Sequence, residues 1–278
     1  MSCDIVMKIG GGRGIDPLDV APQIAELVRA GLRVVLVHGG SHETNKLAEA
    51  LGHPPRTLTS PSGRESRRTD RRTLEIFEMT YCGKVNKSIV ERLRAEGIDA
   101  LGMSGLDGGI WTGRRKDAIR AVEAGRTFVV RDDLSGRVES VDTNLLHLLM
   151  DAGRTPVLTP PAVTPDGTAI NVDADRAAAA TATALGASEL LLLSNIPGVL
   201  RDPSDPGSLI TSVDSESTSS VVRAAAKGRM ANKVQAAGEA VAGGVERVVI
   251  GSAVCANAIA EARSGRGTIF SAPHGANT

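Results

Sequence analysis

The fold is decided near the N-terminus, at Asp4-Ile5-Val6-Met7-Lys8-Ile9-Gly10-Gly11-Gly12. A mostly apolar run leads to one lysine and then to three glycines. It reads as a buried strand ending in a glycine turn, and the exposed N–H groups of such a turn can receive a phosphate. Lys8 lies almost inside the strand, where an ammonium ion is costly unless an anion or a carboxylate meets it. Residues 17–30 carry apolar positions Val20, Ile24, Leu27 and Val28, a helical stripe with Pro17 in its first turn and Gly31 as its stop. Arg33-Val34-Val35-Leu36-Val37-His38 is a second strand, running into Gly39-Gly40. Strand, helix and strand within about 35 residues make a βαβ unit, hence a parallel sheet.

The alternation continues through the 278 residues. Residues 42–51 read as a helix, 53–66 as a loop or hairpin excursion, and 70–82 and 84–96 as two helices, the second closed by Gly97. A strand is expected at 98–103. Between 105 and 141, short runs such as Thr127-Phe128-Val129-Val130 and Arg137-Val138-Glu139-Ser140-Val141 sit between glycine turns. They suggest antiparallel strands covering one end of the sheet. Then come a helix at 142–152, a strand at 155–159 halted by Pro160-Pro161, an Ala/Thr-rich helix at 173–186, a strand at 189–193, a helix at 229–242 and a strand at 247–250. Residues 201–220, rich in Pro, Ser, Asp and Gly, read as a mobile surface segment, and the last eight as frayed. The class is α/β, with a soft boundary between an N-terminal lobe, 1–171, and a C-terminal lobe, 172–278.

Lys+Arg and Asp+Glu both number 32, so the overall charge points to neither nucleic acid nor a membrane surface. Cys3, Cys82 and Cys255 are scattered and form no C-x-x-C, which fits a reducing compartment and argues against disulfides and structural zinc. The N-terminus has no signal-type apolar run, and no segment approaches about 20 apolar residues, so a soluble cytoplasmic protein is expected. Aromatics are 2% of the chain, which leaves the core to Ala, Val, Leu and Ile.

Five stretches carry candidate chemistry. The turn after Lys8 is neither a dinucleotide fingerprint, since Ile15 replaces the third glycine, nor a Walker A loop. His38-Gly39-Gly40-Ser41 ends the neighbouring strand at the same sheet edge, where ligands of open α/β sheets bind. His42-Glu43 is no zinc motif, because Lys46 takes the second histidine's place. The basic run from Arg64 to Arg72 is either a solvated surface or the source of an arginine that captures a carboxylate. Asn171-Val172-Asp173-Ala174-Asp175 opens the Ala-rich helix; its aspartates are helix N-terminal charges, or Asp175 holds one or two lysines. Lys233 lies one turn into a later helix, a mildly unfavourable place that an anion would offset.

Taken in order, Lys8 to Gly12, His38 to Ser41, Arg67 to Asp70 with Thr73 to Met79, Asn171 to Asp175 and Gly228 to Lys233 resemble the amino-acid kinase family, in its acetylglutamate kinase branch. The resemblance spans residue 5 to about 270. It implies a three-layer αβα sandwich on a central, mostly parallel open sheet, with the carboxylate substrate in the N-terminal lobe, ATP in the C-terminal lobe, and a homodimer. Lys8 and Lys233 match the phosphate-stabilising lysines and Asp175 the aspartate that orients them. Gly39, Gly40, Ser41, Arg67 and Asn171 fall at substrate-binding positions. Gly10, Gly11, Gly12, Ser194, Asn195, Gly198, Val199, Leu200 and Met230 fall at nucleotide-binding ones. Ser194-Asn195 departs from a usual Thr-Asp, and Gly228-Arg229-Met230 from Gly-Gly-Met.

Ser41-His42-Glu43-Thr44-Asn45-Lys46 also departs from the glycine that acetylglutamate kinases usually carry there. With Thr73 to Gly83, Leu101 to Gly108 and Gly113-Arg114-Arg115-Lys116, it resembles the kinases of the amino-group-carrier route. Their substrate is α-aminoadipate or glutamate held by its amino group on a small acidic carrier, LysW. Arg114, Arg115 and Lys116 are expected to face that carrier. The acceptor is then a carboxylate, ionised at pH 7 and in no need of a general base. Mg²⁺ is expected to come with ATP, as the sequence shows no dedicated metal cage.

Overall fold

A computed structural model of the chain describes residues 3–61, 63, 65–123, 125–214 and 228–272. The opening stretch is strand β1 (Ile5–Ile9), buried along its whole length. Its partner β2 (Val34–His38) is equally buried and pairs with it in parallel, Lys8 opposite Val37. Between them α1 (Ala21–Arg29) starts later than the apolar stripe suggests, with Pro22 rather than Pro17 in its first turn. Then follow α2 (Ser41–Ala50), the hairpin β3 (Thr57–Thr59) and β4 (Glu65–Arg67), α3 (Arg71–Glu78), α4 (Asn86–Ala95) and β5 (Ala100–Ser104). The two helices expected at 70–82 and 84–96 are one continuous rod. A π-helical segment, Met79–Val85, joins α3 to α4, and Gly83 faces open space instead of breaking the rod.

The antiparallel excursion holds β6 (Trp111–Arg115), β7 (Ile119–Glu123), β8 (Arg126–Val130) and β9 (Gly136–Val141). After α5 (Thr143–Asp151) the chain returns to the main sheet through β10 (Thr155–Thr159). Short β11 (Ala162–Val163) and β12 (Ala169–Ile170) join β6 and β9 in a second sheet, and β7–β8 is a separate ribbon. Next come α6 (Ala174–Leu185), β13 (Glu189–Ser194), β14 (Ser212–Asp214), α7 (Arg229–Ala242), β15 (Arg247–Ser252), α8 (Ala258–Arg263) and β16 (Thr268–Ser271). The segment expected to be an unstructured surface, 201–220, contains β14 and a turn in which Leu200 bridges Leu209. Its residues 215–220, like Lys227 and the chain end from 273, lie outside the described residues.

The main sheet runs β14-β16-β15-β13-β1-β2-β10-β5, parallel except where β15 meets β16. Alternation along β1 assigns the two cores. Ile5, Met7 and Ile9 pack with residues of α1, α4 and α8, and Val6 packs with residues of α5, α6 and α7. This is the expected three-layer sandwich. It also places Lys8, two residues after Val6, on the α6 and α7 face.

Candidate active site

Lys8, on β1, meets α6 and α7 at a single carboxylate. Its Nζ lies 2.7 Å from Asp175 Oδ1. Lys233 Nζ, from the first turns of α7, is 2.9 Å from each oxygen of the same group. The three residues are 6–7% exposed. Asp175 sits in the first turn of α6 because Asp173 caps that helix, its Oδ1 accepting the N–H groups of Asp175 and Arg176. The other Asp173 oxygen accepts from Asn232 Nδ2 at 3.0 Å and ties α6 to α7. Burial would protonate Asp175, but the Lys233 and Lys8 charges hold it well below the ordinary carboxylate range. Burial also disfavours the charge on Lys8, and Asp175 more than offsets it, so Lys8 stays charged with a raised pKa. Lys233 is lowered to about 8 by burial, with the Lys8 charge adding to the effect.

The glycine turns beyond β1 and β2 press on one another. A Cβ on Gly11 would lie 2.1 Å from the Gly40 nitrogen and 2.3 Å from the Gly39 carbonyl carbon. The Gly11 carbonyl accepts the His42 N–H at 2.8 Å and Ser41 Oγ at 3.1 Å, so Ser41 locks the two turns together. Gly10 N–H is spent on the Leu193 carbonyl and Gly39 N–H on that of Ile9. Among the described residues, the N–H groups of Gly11 and Gly12 have no acceptor. Two open amides beside two ammonium groups make an anion cradle.

His38, ahead of the second turn, is fully buried. Asn86 Nδ2 donates to its Nε2 at 3.1 Å, so its Nδ1–H faces the Gly39 carbonyl at 3.0 Å. Burial lowers it to about 4, which leaves a neutral ring that shapes the turn.

Arg67 closes the far side. Its Nη2 donates to Asn45 Oδ1, and its Nη1 is enclosed with no partner among the described residues. The loop that carries it is held by Asp133, which the sequence did not single out. This buried carboxylate accepts the Thr69 N–H and the Ser135 N–H, both at 2.8 Å. Asn171 Nδ2 donates to Thr69 Oγ1 at 3.1 Å, so Asn171 adjoins the Arg67 loop from β12. An unpartnered guanidinium N–H fits a ligand carboxylate.

On the opposite side, Ser194 Oγ ends β13 buried and without a partner among the described residues. Asn195 is exposed, with Nδ2 3.5 Å from the Arg13 carbonyl. Gly198, Val199 and Leu200 turn inward: Val199 is fully buried and its N–H donates to Thr268 Oγ1 at 2.8 Å. These residues anchor the turn, and Ser194 and Asn195 present its polar face. Met230 packs against the α6–α7 core. Open amides, an unpaired hydroxyl and surplus positive charge fit the triphosphate of a nucleotide. Among the described residues no three His, Cys, Asp or Glu side chains cluster to hold a metal.

The pattern of the amino acid kinase family matches residues 5–252. The chain belongs to the amino acid kinase family. It is 55% identical over 267 residues to the LysW-aminoadipate kinase of Deinococcus radiodurans, covering 96% of this chain and 91% of that one. It is 53% identical over 266 residues to the LysW-aminoadipate kinase of Thermus thermophilus, with coverages of 95% and 99%. Carbamate kinase from Giardia lamblia, solved with AMP-PNP, shares the fold at a TM-score of 0.67 and 15% identity, over 98% of this chain and 99% of that one.

Two features of this amino acid kinase stand apart from the sequence reading. Arg229 lies with its Nη1 3.9 Å from the place of a Gly12 Cβ and has no carboxylate partner among the described residues. A further cation thus faces the first glycine turn. In the excursion, Arg115 turns inward, its Nε donating to the Asp133 carbonyl at 2.8 Å and its Nη2 to that of Arg131. Arg114 and Lys116 remain at the surface, Arg114 only 3.7 Å from exposed Asp117.

Proposed function

We propose that this kinase transfers the γ-phosphoryl group of ATP to the side-chain carboxylate of α-aminoadipate, or of a glutamate-like acid, whose amino group is held on a LysW-type acidic carrier. The observation that carries the chemistry is Asp175 bridging Lys8 and Lys233 beside two open glycine amides. The carboxylate oxygen attacks phosphorus, the bond to the β-phosphate oxygen breaks, ADP leaves, and an acyl phosphate remains. Two anions approach, so the protein's task is charge stabilisation and alignment. Lys8 and Lys233 serve the transferred group. Residues 1–171 supply the acceptor side through Gly39, Gly40, Ser41, Arg67 and Asn171. Residues 172–278 supply the nucleotide side through Ser194, Asn195, the 198–200 turn and Met230, with residues 10–12 between them. The carrier-bound acceptor is supported by the two relatives above 50% identity. The reading carries with it Mg²⁺ held largely by nucleotide oxygens, a homodimer and a cytoplasmic setting.

The test is incubation with Mg-ATP and carrier loaded with aminoadipate or glutamate, then hydroxylamine trapping and mass spectrometry of the carrier. The expected product is carrier hydroxamate. Higher kcat/KM on free N-acetylglutamate would make the protein an acetylglutamate kinase. Nucleotide binding without any acyl phosphate would make it a sensor.

A further inference from the structure

One buried polar group at the site has no task in the phosphate clamp. Tyr81 sits on the π-helical segment Met79–Val85. Such segments are uncommon and concentrate at functional sites, where the surroundings hold an otherwise less favourable helix geometry. What this one delivers to the glycine turns is the chain's single tyrosine. Its ring stacks on Phe77, with centroids 3.7 Å apart. It also lies against Gly40 so closely that a Cβ there would sit 3.0 Å from Cδ2 and Cε2. The side chain is thus wedged between the second glycine turn and Phe77.

The electrostatics around the hydroxyl point the same way. Burial raises its pKa and keeps the phenol neutral, against the Gly40 N–H directed at its oxygen and the charges of Arg67, Lys8 and Arg229, which favour an anion at its position. The hydroxyl is therefore an O–H donor set among three cations. Among the described residues, its hydrogen has no acceptor.

We propose that the Tyr81 O–H donates to the acceptor carboxylate, holding the oxygen that does not attack so that the other faces the γ-phosphorus. This rests on the proposed function. Gly40 and Lys8 mark the reacting end of the acceptor, and Tyr81 packs on Gly40 within the field of the Lys8 charge; Arg67, with its unpartnered Nη1, takes a charge farther along the same molecule. Tyr81 is then an acceptor-positioning residue, and the glycine at 40 is required to let its ring approach.

Tyr81→Phe keeps the ring, its stacking on Phe77 and its contact with Gly40, and removes only the hydroxyl. The variant and the wild type are compared with Mg-ATP on carrier-bound aminoadipate. The expected result is a fall in kcat/KM for the acceptor of about tenfold or more, the size of one hydrogen bond to a charged group. KM for ATP should stay within about twofold and Tm within about 2 °C. An acceptor kcat/KM within about twofold of wild type overturns the proposal, as does a loss confined to KM for ATP. If the wild type itself leaves the loaded carrier unmodified, the proposed function fails instead. Tyr81→Phe is then judged by the same criteria on N-acetylglutamate, where the hydroxyl makes the same prediction.

Discussion

One carboxylate cannot neutralise two ammonium groups. Lys8, Asp175 and Lys233 leave a formal charge of one positive unit among residues that are 6–7% exposed. Arg229 and the half-buried Arg67 add to it. Such an arrangement is expensive without an anion, which the proposed function supplies as the transferred phosphoryl group. Replacing Lys8 or Lys233 by Ala should lower kcat roughly a hundredfold or more, the scale of a lost oxyanion donor, with the fold intact. Asp175→Asn removes the carboxylate that bridges the two lysines and should cost about 3–5 kcal/mol at neutral pH, read as a lower denaturation midpoint.

The pH dependence separates the roles. Lys233 is lowered from 10.5 to about 8 in the folded protein. From about pH 8 to 10.5 the unfolded chain therefore binds more protons than the native one, and this group makes stability rise with pH in that window. The clamp, however, needs the proton. kcat/KM for ATP should fall through one ionisation near pH 8 while thermal stability holds or improves. A rate that stays flat to pH 10 would remove Lys233 from the clamp. Asp175 has the same sign at the acid end: its pKa is depressed, so its stabilising contribution is complete above the ordinary aspartate value of 3.8 and is lost as pH falls below it.

At the scale of elements, the site depends on how α6 is held. Trp111, the chain's single tryptophan, is fully buried on β6 and donates from Nε1 to Thr181 Oγ1 of α6 at 3.0 Å. Gly105 makes room for its indole: a Cβ there would fall 2.3 Å from Cε3. Gly105→Ala should destabilise the protein by about 1–3 kcal/mol. Denaturation followed by Trp111 fluorescence reads this directly.

Elements with a local signature were legible in the sequence. β10 and α7 occupy the residues that apolar runs and flanking Gly or Pro assign to them. So did the contacts of Lys8, because a lysine inside a buried strand demands a carboxylate. What stayed hidden has a tertiary cause. Nothing in Met79-Thr80-Tyr81-Cys82-Gly83 distinguishes a π turn from a helix break, and Gly83 favoured the break. β14 is only three residues long and exists because parallel β16 offers it a ladder. The short α8 and β16 at the sheet's far end were not anticipated either. Asp133 reads as an ordinary loop acid until Thr69 and Ser135 point their N–H groups at it.

For the whole molecule, the strand order singles out β1. The chain leaves β1 on one side through β2, β10 and β5, and on the other through β13, β15, β16 and β14. β1 is where the two directions part, and ligands of open parallel sheets bind beyond such a switch point. Acceptor and nucleotide residues therefore arrive from opposite sides of one strand. In the proposed function, a carrier would approach from the side of β2 and the antiparallel excursion. The chain's formal net charge is zero, so no global field draws an acidic partner in, and any attraction must be local. Arg115 is committed to the 131–133 carbonyls, which leaves Arg114 and Lys116 exposed for that purpose. The double variant Arg114→Glu with Lys116→Glu should raise KM for the loaded carrier severalfold at low salt, with kcat and KM for ATP unchanged. The effect should shrink as ionic strength rises, since at about 0.1 M exposed charges are screened beyond about 10 Å. Equal KM values for variant and wild type at low salt would move the docking surface elsewhere.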